Sequence, residues 1–152
     1  MARLRLVVSV VLTAMALVAG CGGDDDVSNS ANASDAAAVV EGYVAAYNAQ
    51  DIDRVMTFFA DDAVIVGAAD RFGGAERIEG AAAIRASERV GFSVHAPGGE
   101  AYSISNLVVT GNTVTRDHLF RGTAYTCIGT GNEAVVEEGK IVVWTFASIS
   151  CE

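Results

Sequence analysis

The sequence predicts an α+β fold in which helices come first and antiparallel strands follow. Three observations carry this reading. Apolar residues recur at three- and four-residue spacing before residue 60, and the period changes to two after residue 100. Two glycine-containing turns, Gly111-Asn112 and Glu138-Gly139, then sit between alternating runs.

Arg3 and Arg5 precede Leu6 to Val18, thirteen residues without a charge. A spanning helix needs roughly twenty apolar residues, so residues 1–20 read as a secretion signal. Residues 21–34 contain Asp24-Asp25-Asp26, no aromatic residue and almost no large apolar one. Such a stretch does not offset its ordering entropy and reads as a flexible acidic tether. One domain is expected over 35–152.

Val39, Val40, Tyr43, Val44 and Tyr47 form the apolar stripe of a first helix. Asp51 stands where an N-cap belongs for a second, short helix carrying Val55, Met56, Phe58 and Phe59. Ala63 to Val66 is a short β-type run, 67–79 a glycine-rich loop, and Ala81 to Arg89 a third helix. The first hairpin pairs Tyr102–Thr110 with Thr113–Arg121, and the second pairs Thr123–Glu137 with Lys140–Ser150.

The whole chain has a net charge of −9; two of its ten basic residues lie in the leader, so the remainder carries 8 against 19 acidic residues, or −11. This balance excludes nucleic acid as a partner and leaves no electrostatic route to anionic membranes. Cys21 ends the leader, which leaves Cys127 and Cys151 as an even pair in an oxidising compartment. A two-residue turn at Glu138-Gly139 places Cys127 opposite Ser150, and one added bulge residue places it opposite Cys151. Either register brings the sulfurs near enough for a disulfide that fastens the last strand. Neither cysteine has metal-ligand spacing to a histidine, and no metal or cofactor is expected.

Leu17-Val18-Ala19-Gly20-Cys21 resembles the bacterial lipobox. That resemblance implies cleavage before Cys21 and a lipid anchor on its thiol, holding the domain at the extracytoplasmic face of the cell membrane. Tyr43-Val-Ala-Ala-Tyr-Asn-Ala-Gln-Asp-Ile-Asp, then Phe58-Phe-Ala-Asp-Asp-Ala-Val, Gly80-Ala-Ala-Ala-Ile-Arg and Gly139-Lys-Ile-Val resemble the nuclear transport factor 2-like superfamily. Ketosteroid isomerases and SnoaL-like cyclases belong to it. The resemblance spans roughly 36–150 and implies a conical barrel, with three N-terminal helices against a curved, mostly antiparallel sheet and an apolar pocket inside.

Fold does not fix chemistry. By resemblance to ketosteroid isomerase, Tyr43 falls at the oxyanion tyrosine, the base position falls on Gly67, and the protonated acid falls near Gly131 or Asn132. Without a base, steroid isomerisation is disfavoured. Other members place an acid–base residue on the strand that here carries Arg116, Asp117 and His118. Successive strand residues face opposite sides; counting from Gly111-Asn112 puts Asp117 inward, and counting back from Gly122 favours His118. With His118 inward, His95 is a candidate partner for it. The expected ligand contacts are Tyr43, Tyr47, Phe59, Leu119, Trp144 and Phe146. The leading expectation is a lipid-anchored domain binding a small apolar molecule or an envelope protein. The alternatives are an acid–base enzyme (cyclase, dehydratase or isomerase) using Tyr43 with Asp117 or His118, and an interaction module dimerising through its outer sheet face.

Overall fold

The computed structural model describes residues 25–67, 76–95 and 101–152, with side chains from residue 35 onward. The leader and Cys21 lie outside the described residues. Helix α1 is Asp25–Asn48. It begins ten residues before the expected domain boundary, and no glycine or proline interrupts the chain between Asp25 and Gly42. Its core face presents Ala36, Val40, Tyr43, Val44 and Tyr47. Gly42 is required by packing: a Cβ there would stand 2.6 Å from the Phe58 ring.

The helix ends with Gln50 in the left-handed region (φ 55°). Gln50 N donates to Tyr47 O at 2.9 Å and Asp51 N to Ala46 O at 3.1 Å, which satisfies carbonyls of the last turn. Asn48 turns its amide to the sheet, donating to Tyr102 O at 2.7 Å and accepting from Tyr102 N at 2.9 Å. Asp51 caps α2 (Ile52–Met56) by accepting from Arg54 N at 3.0 Å. The second helix is shorter than expected: Phe59 opens strand β1 (Phe59–Val66) instead of closing the helix. Strand β2 (Arg77–Glu79) pairs with β1 inside the expected loop. Helix α3 (Ala81–Ser93) runs one turn past its expected end and buries Ile84, Glu88 and Gly91 along one stripe.

Strands β3 (Tyr102–Thr110) and β4 (Thr113–Arg121) form the expected hairpin. Strands β5 (Thr126–Glu137) and β6 (Lys140–Thr145) form the second. The last stretch is interrupted after Thr145, and β7 (Ser148–Cys151) resumes pairing with β5. At the break, Phe146 N donates to Val66 O at 2.9 Å, and Ala147 N donates to the Asn132 side chain at 3.1 Å. The sheet order is β2-β1-β6-β5-β4-β3, with β7 also on β5; β1 and β6 run parallel, and the other pairs are antiparallel.

Bulges set the register. Val136 pairs with Ile141 but Val135 with Val143, so one residue is inserted in β6. The shift persists into β7, so Cys127 lies opposite Cys151 rather than Ser150, and the two are joined by a disulfide. Two further irregularities flank Asp117: the β3–β4 register shifts between Ser105 and Val108, and the β4–β5 register between Arg116 and His118. Asn106 (φ 51°) and Gly131 (φ 63°) are the left-handed residues at those two places.

Candidate functional site

Strand β4 alternates without interruption. Val114, Arg116, His118 and Phe120 are buried on the concave side, where α1 packs. Asp117 and Leu119 therefore belong to the opposite face. The count back from Gly122 thus holds and the count from Gly111-Asn112 does not; the register shifts beside β4 lie in β3 and β5.

The interior is built of rings. Tyr43 lies 4.6 Å from Trp144 and 5.4 Å from Phe59, centroid to centroid. Tyr102 stacks on His118 at 5.4 Å with a 27° interplanar angle, and Phe146 meets His118 edge-on at 5.5 Å. His95 is packed among Tyr47, Phe92 and Phe120, and bridges to Gly122. Set into these rings are polar groups. The Tyr43 hydroxyl donates to Glu88 Oε1 at 3.2 Å. The Arg116 guanidinium carbon lies 3.5 Å from the centroid of Trp144, a cation over a π face. Glu88, Arg116 and His118 are all at most 3% exposed.

Of the expected ligand contacts, Tyr43, Tyr47, Phe59, Trp144 and Phe146 come together in this interior. Leu119 does not: it is half-buried on the outer face with Asp117, since neighbours of an inward His118 must point outward. Asp117 is corrected likewise as a candidate base. Its Oδ2 accepts from Asn106 Nδ2 at 2.7 Å and its Oδ1 from Gly131 N at 3.0 Å, so it ties together the two bulges beside it. Those hydrogen bonds, the Asn106 one foremost, hold its carboxyl below the ordinary value of 3.8, and the nearby His118 adds to the effect.

Gly67 cannot be read as a base that was lost and could be restored. Its φ is +75°, and a Cβ there would stand 2.2 Å from the Phe146 carbonyl oxygen. Asn132 is buried at the other carboxylic-acid position, where its amide serves the backbone: Nδ2 donates to Arg116 O at 3.4 Å and Oδ1 accepts from Ala147 N.

Glu88 was not distinguished in the sequence, and Arg116 was seen only as a neighbour of candidates. A helical stripe with Ile84 and Gly91, and a two-residue step from His118, were the signals that could have found them. Among the described residues no group of three or more His, Cys, Asp or Glu could hold a metal ion. No described helix is long and apolar enough to cross a membrane. An open cleft of about 630 Å³ lies between the start of α1 and both hairpin turns, lined by residues such as Asp35, Asn112 and Glu138. A second, of about 280 Å³, lies between α1 and β3 beside Tyr102. Neither is lined by Arg116, His118 or Trp144, so the buried polar groups define a separate place in the fold.

The family profile of the SnoaL-like domain matches residues 40–148. The chain belongs to the SnoaL-like domain family. This SnoaL-like domain is similar in structure to a candidate isomerase from Bacillus subtilis, with TM-score 0.61, 16% identity, and coverage of 75% of this chain and 86% of the other. A candidate ketosteroid isomerase from Kribbella flavida gives TM-score 0.59 and 15% identity over 75% and 77% of the two chains. A computationally designed binder of 17-OHP gives TM-score 0.59 and 14% identity over 78% and 96%. At such identities the likeness shows the fold alone. No match was found among curated proteins. Membership of the SnoaL-like domain family accounts for the α+β frame and the mostly antiparallel sheet described above.

Proposed function

We propose that this SnoaL-like domain binds a small, largely apolar molecule inside its cone, and that a lipid on Cys21 holds it at the extracytoplasmic face of the cell membrane. The supporting observation is the interior itself: a packed cluster of Tyr43, Phe59, Tyr102, Trp144 and Phe146 with a few polar groups set into it. That combination is the general make-up of a small-molecule site, where apolar area supplies affinity and sparse polar groups fix orientation. A thermal-shift screen of the chain against apolar metabolites, followed by native mass spectrometry, tests it. Saturable stabilisation by one chemical class is the expected result, and no stabilisation across the screen counts against it. Anchoring is tested separately. The wild-type protein should partition with membranes and carry a diacylglyceryl mass, and Cys21→Ala should release it.

A second reading, acid–base catalysis, is favoured by His118 facing inward within the same ring cluster as Tyr43. A neutral imidazole would take a proton from carbon while a tyrosine hydroxyl supports the developing oxyanion. Binding ranks first because the Tyr43 hydroxyl already donates to Glu88, so a substrate oxygen would have to compete with a carboxylate for that proton. Exchange of a substrate α-proton in deuterated water, abolished in His118→Ala, would reverse the ranking.

A further inference from the structure

We propose that the groove between α1 and the outer edge of β3 takes an extended, basic segment of a partner protein, which joins the sheet as a further strand beside Ile104. Strand β3 ends the sheet, and among the described strands it pairs with β4 alone. Arg121 N donates to Ala101 O at 2.6 Å, so the backbone of Ala101 faces β4. Antiparallel pairing alternates. Ser103 therefore faces β4 too, while Tyr102 and Ile104 direct their N–H and C=O groups toward the edge. Asn48 shows what that edge accepts: its amide meets Tyr102 N and O with the two bonds a neighbouring strand would make. Ile104 presents the same pair of groups one repeat further along.

The cleft of about 280 Å³ lies at this place, lined by Glu41, Val44 and Ala45 of α1 and by Ser103 and Ile104 of β3. Edge strands are ordinarily guarded by charge or proline, and Tyr102–Thr110 has neither. Its register irregularity, between Ser105 and Val108, falls beyond the groove. Main-chain bonds to such an edge supply affinity, and side chains alternating along the added segment supply selection. On the side turned to α1, a small apolar residue would rest against Val44 and Ala45. Glu41 is exposed, and among the described residues lining the groove it alone is charged. Together with the chain's net charge of −9 it selects a basic segment. A second copy of the chain would bring another Glu41 and another charge of −9 to the same edge, so like charge disfavours that occupant.

The test titrates the full, isotope-labelled chain in detergent with three peptides, following the Ile104 amide by NMR. They are acetyl-Thr-Lys-Thr-Val-Thr-amide, its counterpart with Glu in place of Lys, and the lysine peptide N-methylated at Val. The lysine peptide should shift the Ile104 amide and slow its hydrogen exchange. At low salt it should bind at least about threefold more tightly than the glutamate peptide, and the N-methylated peptide should give no protection. Glu41→Gln should erase the charge preference and leave the protection of Ile104. Ile104→Pro removes the outward N–H at an edge position, where proline is tolerated, and should abolish binding. Should that variant fail to fold, the N-methylated peptide puts the same question to the wild-type chain. The proposal is overturned if no peptide protects Ile104 at millimolar concentration, if the N-methylated peptide binds as well as its parent, or if both charges bind alike. A dimer in light scattering, with Ile104 already protected, would overturn it in favour of a second copy.

Discussion

Gly129 stands directly across the β4–β5 ladder from His118, and the imidazole occupies the space where a side chain at Gly129 would begin. A Cβ built on Gly129 would lie 2.2 Å from His118 Cε1 and 2.7 Å from both ring nitrogens. Gly129→Ala should therefore push the ring off Tyr102 and destabilise the protein by about 1–3 kcal/mol, the usual cost of overpacking. Urea denaturation of Gly129→Ala, His118→Ala and the double variant checks this. The double variant should lose clearly less than the sum of the singles, because removing the ring relieves the clash.

Placing a carboxylate at Gly67 should not create a base. Left-handed φ and the Phe146 carbonyl both oppose any side chain there. Backbone strain alone costs roughly 1–3 kcal/mol, and Gly67→Asp should lower the melting temperature without conferring proton exchange on a ketosteroid substrate. A well-folded Gly67→Asp with wild-type stability would contradict the close approach of Gly67 to Phe146.

Asp117 should confer a pH dependence at the acid end. Its folded pKa is depressed, so its stabilisation is present above the ordinary value of 3.8 and is lost as the pH falls through the lower, folded value. Asp117→Asn removes that proton linkage. As the pH falls below 3.8 the wild-type stability should drop more steeply than that of Asp117→Asn, in denaturant midpoints measured side by side. Parallel curves would mean that Asn106 and Gly131 do not hold the carboxylate in solution.

The bond between Cys127 and Cys151 closes a separation of 24 residues. Loop-closure entropy for such a length corresponds to about 3–4 kcal/mol. The Cys127→Ser/Cys151→Ser variant should lose on that order in guanidinium titration. Its amide exchange should rise first along β7, which among the described strands pairs with β5 alone.

Much of this architecture could be read from residues alone. Gly111-Asn112 and Glu138-Gly139 mark both hairpins because few other residues suit their backbone: Gly111, Glu138 and Gly139 all have positive φ. The break after Thr145 had no such marker, since Phe146 and Ala147 are ordinary strand residues and the interruption comes from tertiary bonds to Val66 and Asn132. The site was harder. Asp117 and His118 were alternatives for the pocket and Leu119 an expected contact, and adjacent residues of a regular strand do not share a face. Strand β4 alternates without a break, so which of them turns inward depends on the side that α1 covers, and that packing is tertiary rather than local. Glu88 stayed hidden because a single glutamate on a helix ordinarily marks its solvent side. Its burial depends on Tyr43, 45 residues away.

The early start of α1 bears on how the domain would sit under the proposed anchoring at Cys21. Residues 25–34 are helical, a stem of about 15 Å at the helical rise. A coil of that length would let the domain tumble, whereas a helix continuous with the core passes its direction on to the whole body. The start of the core helix, at Asp35 and Ala36, shares a cleft with both hairpin turns. Those turns would then face the bilayer, and the end where Asn48 clasps Tyr102 would face outward, toward whatever the envelope delivers.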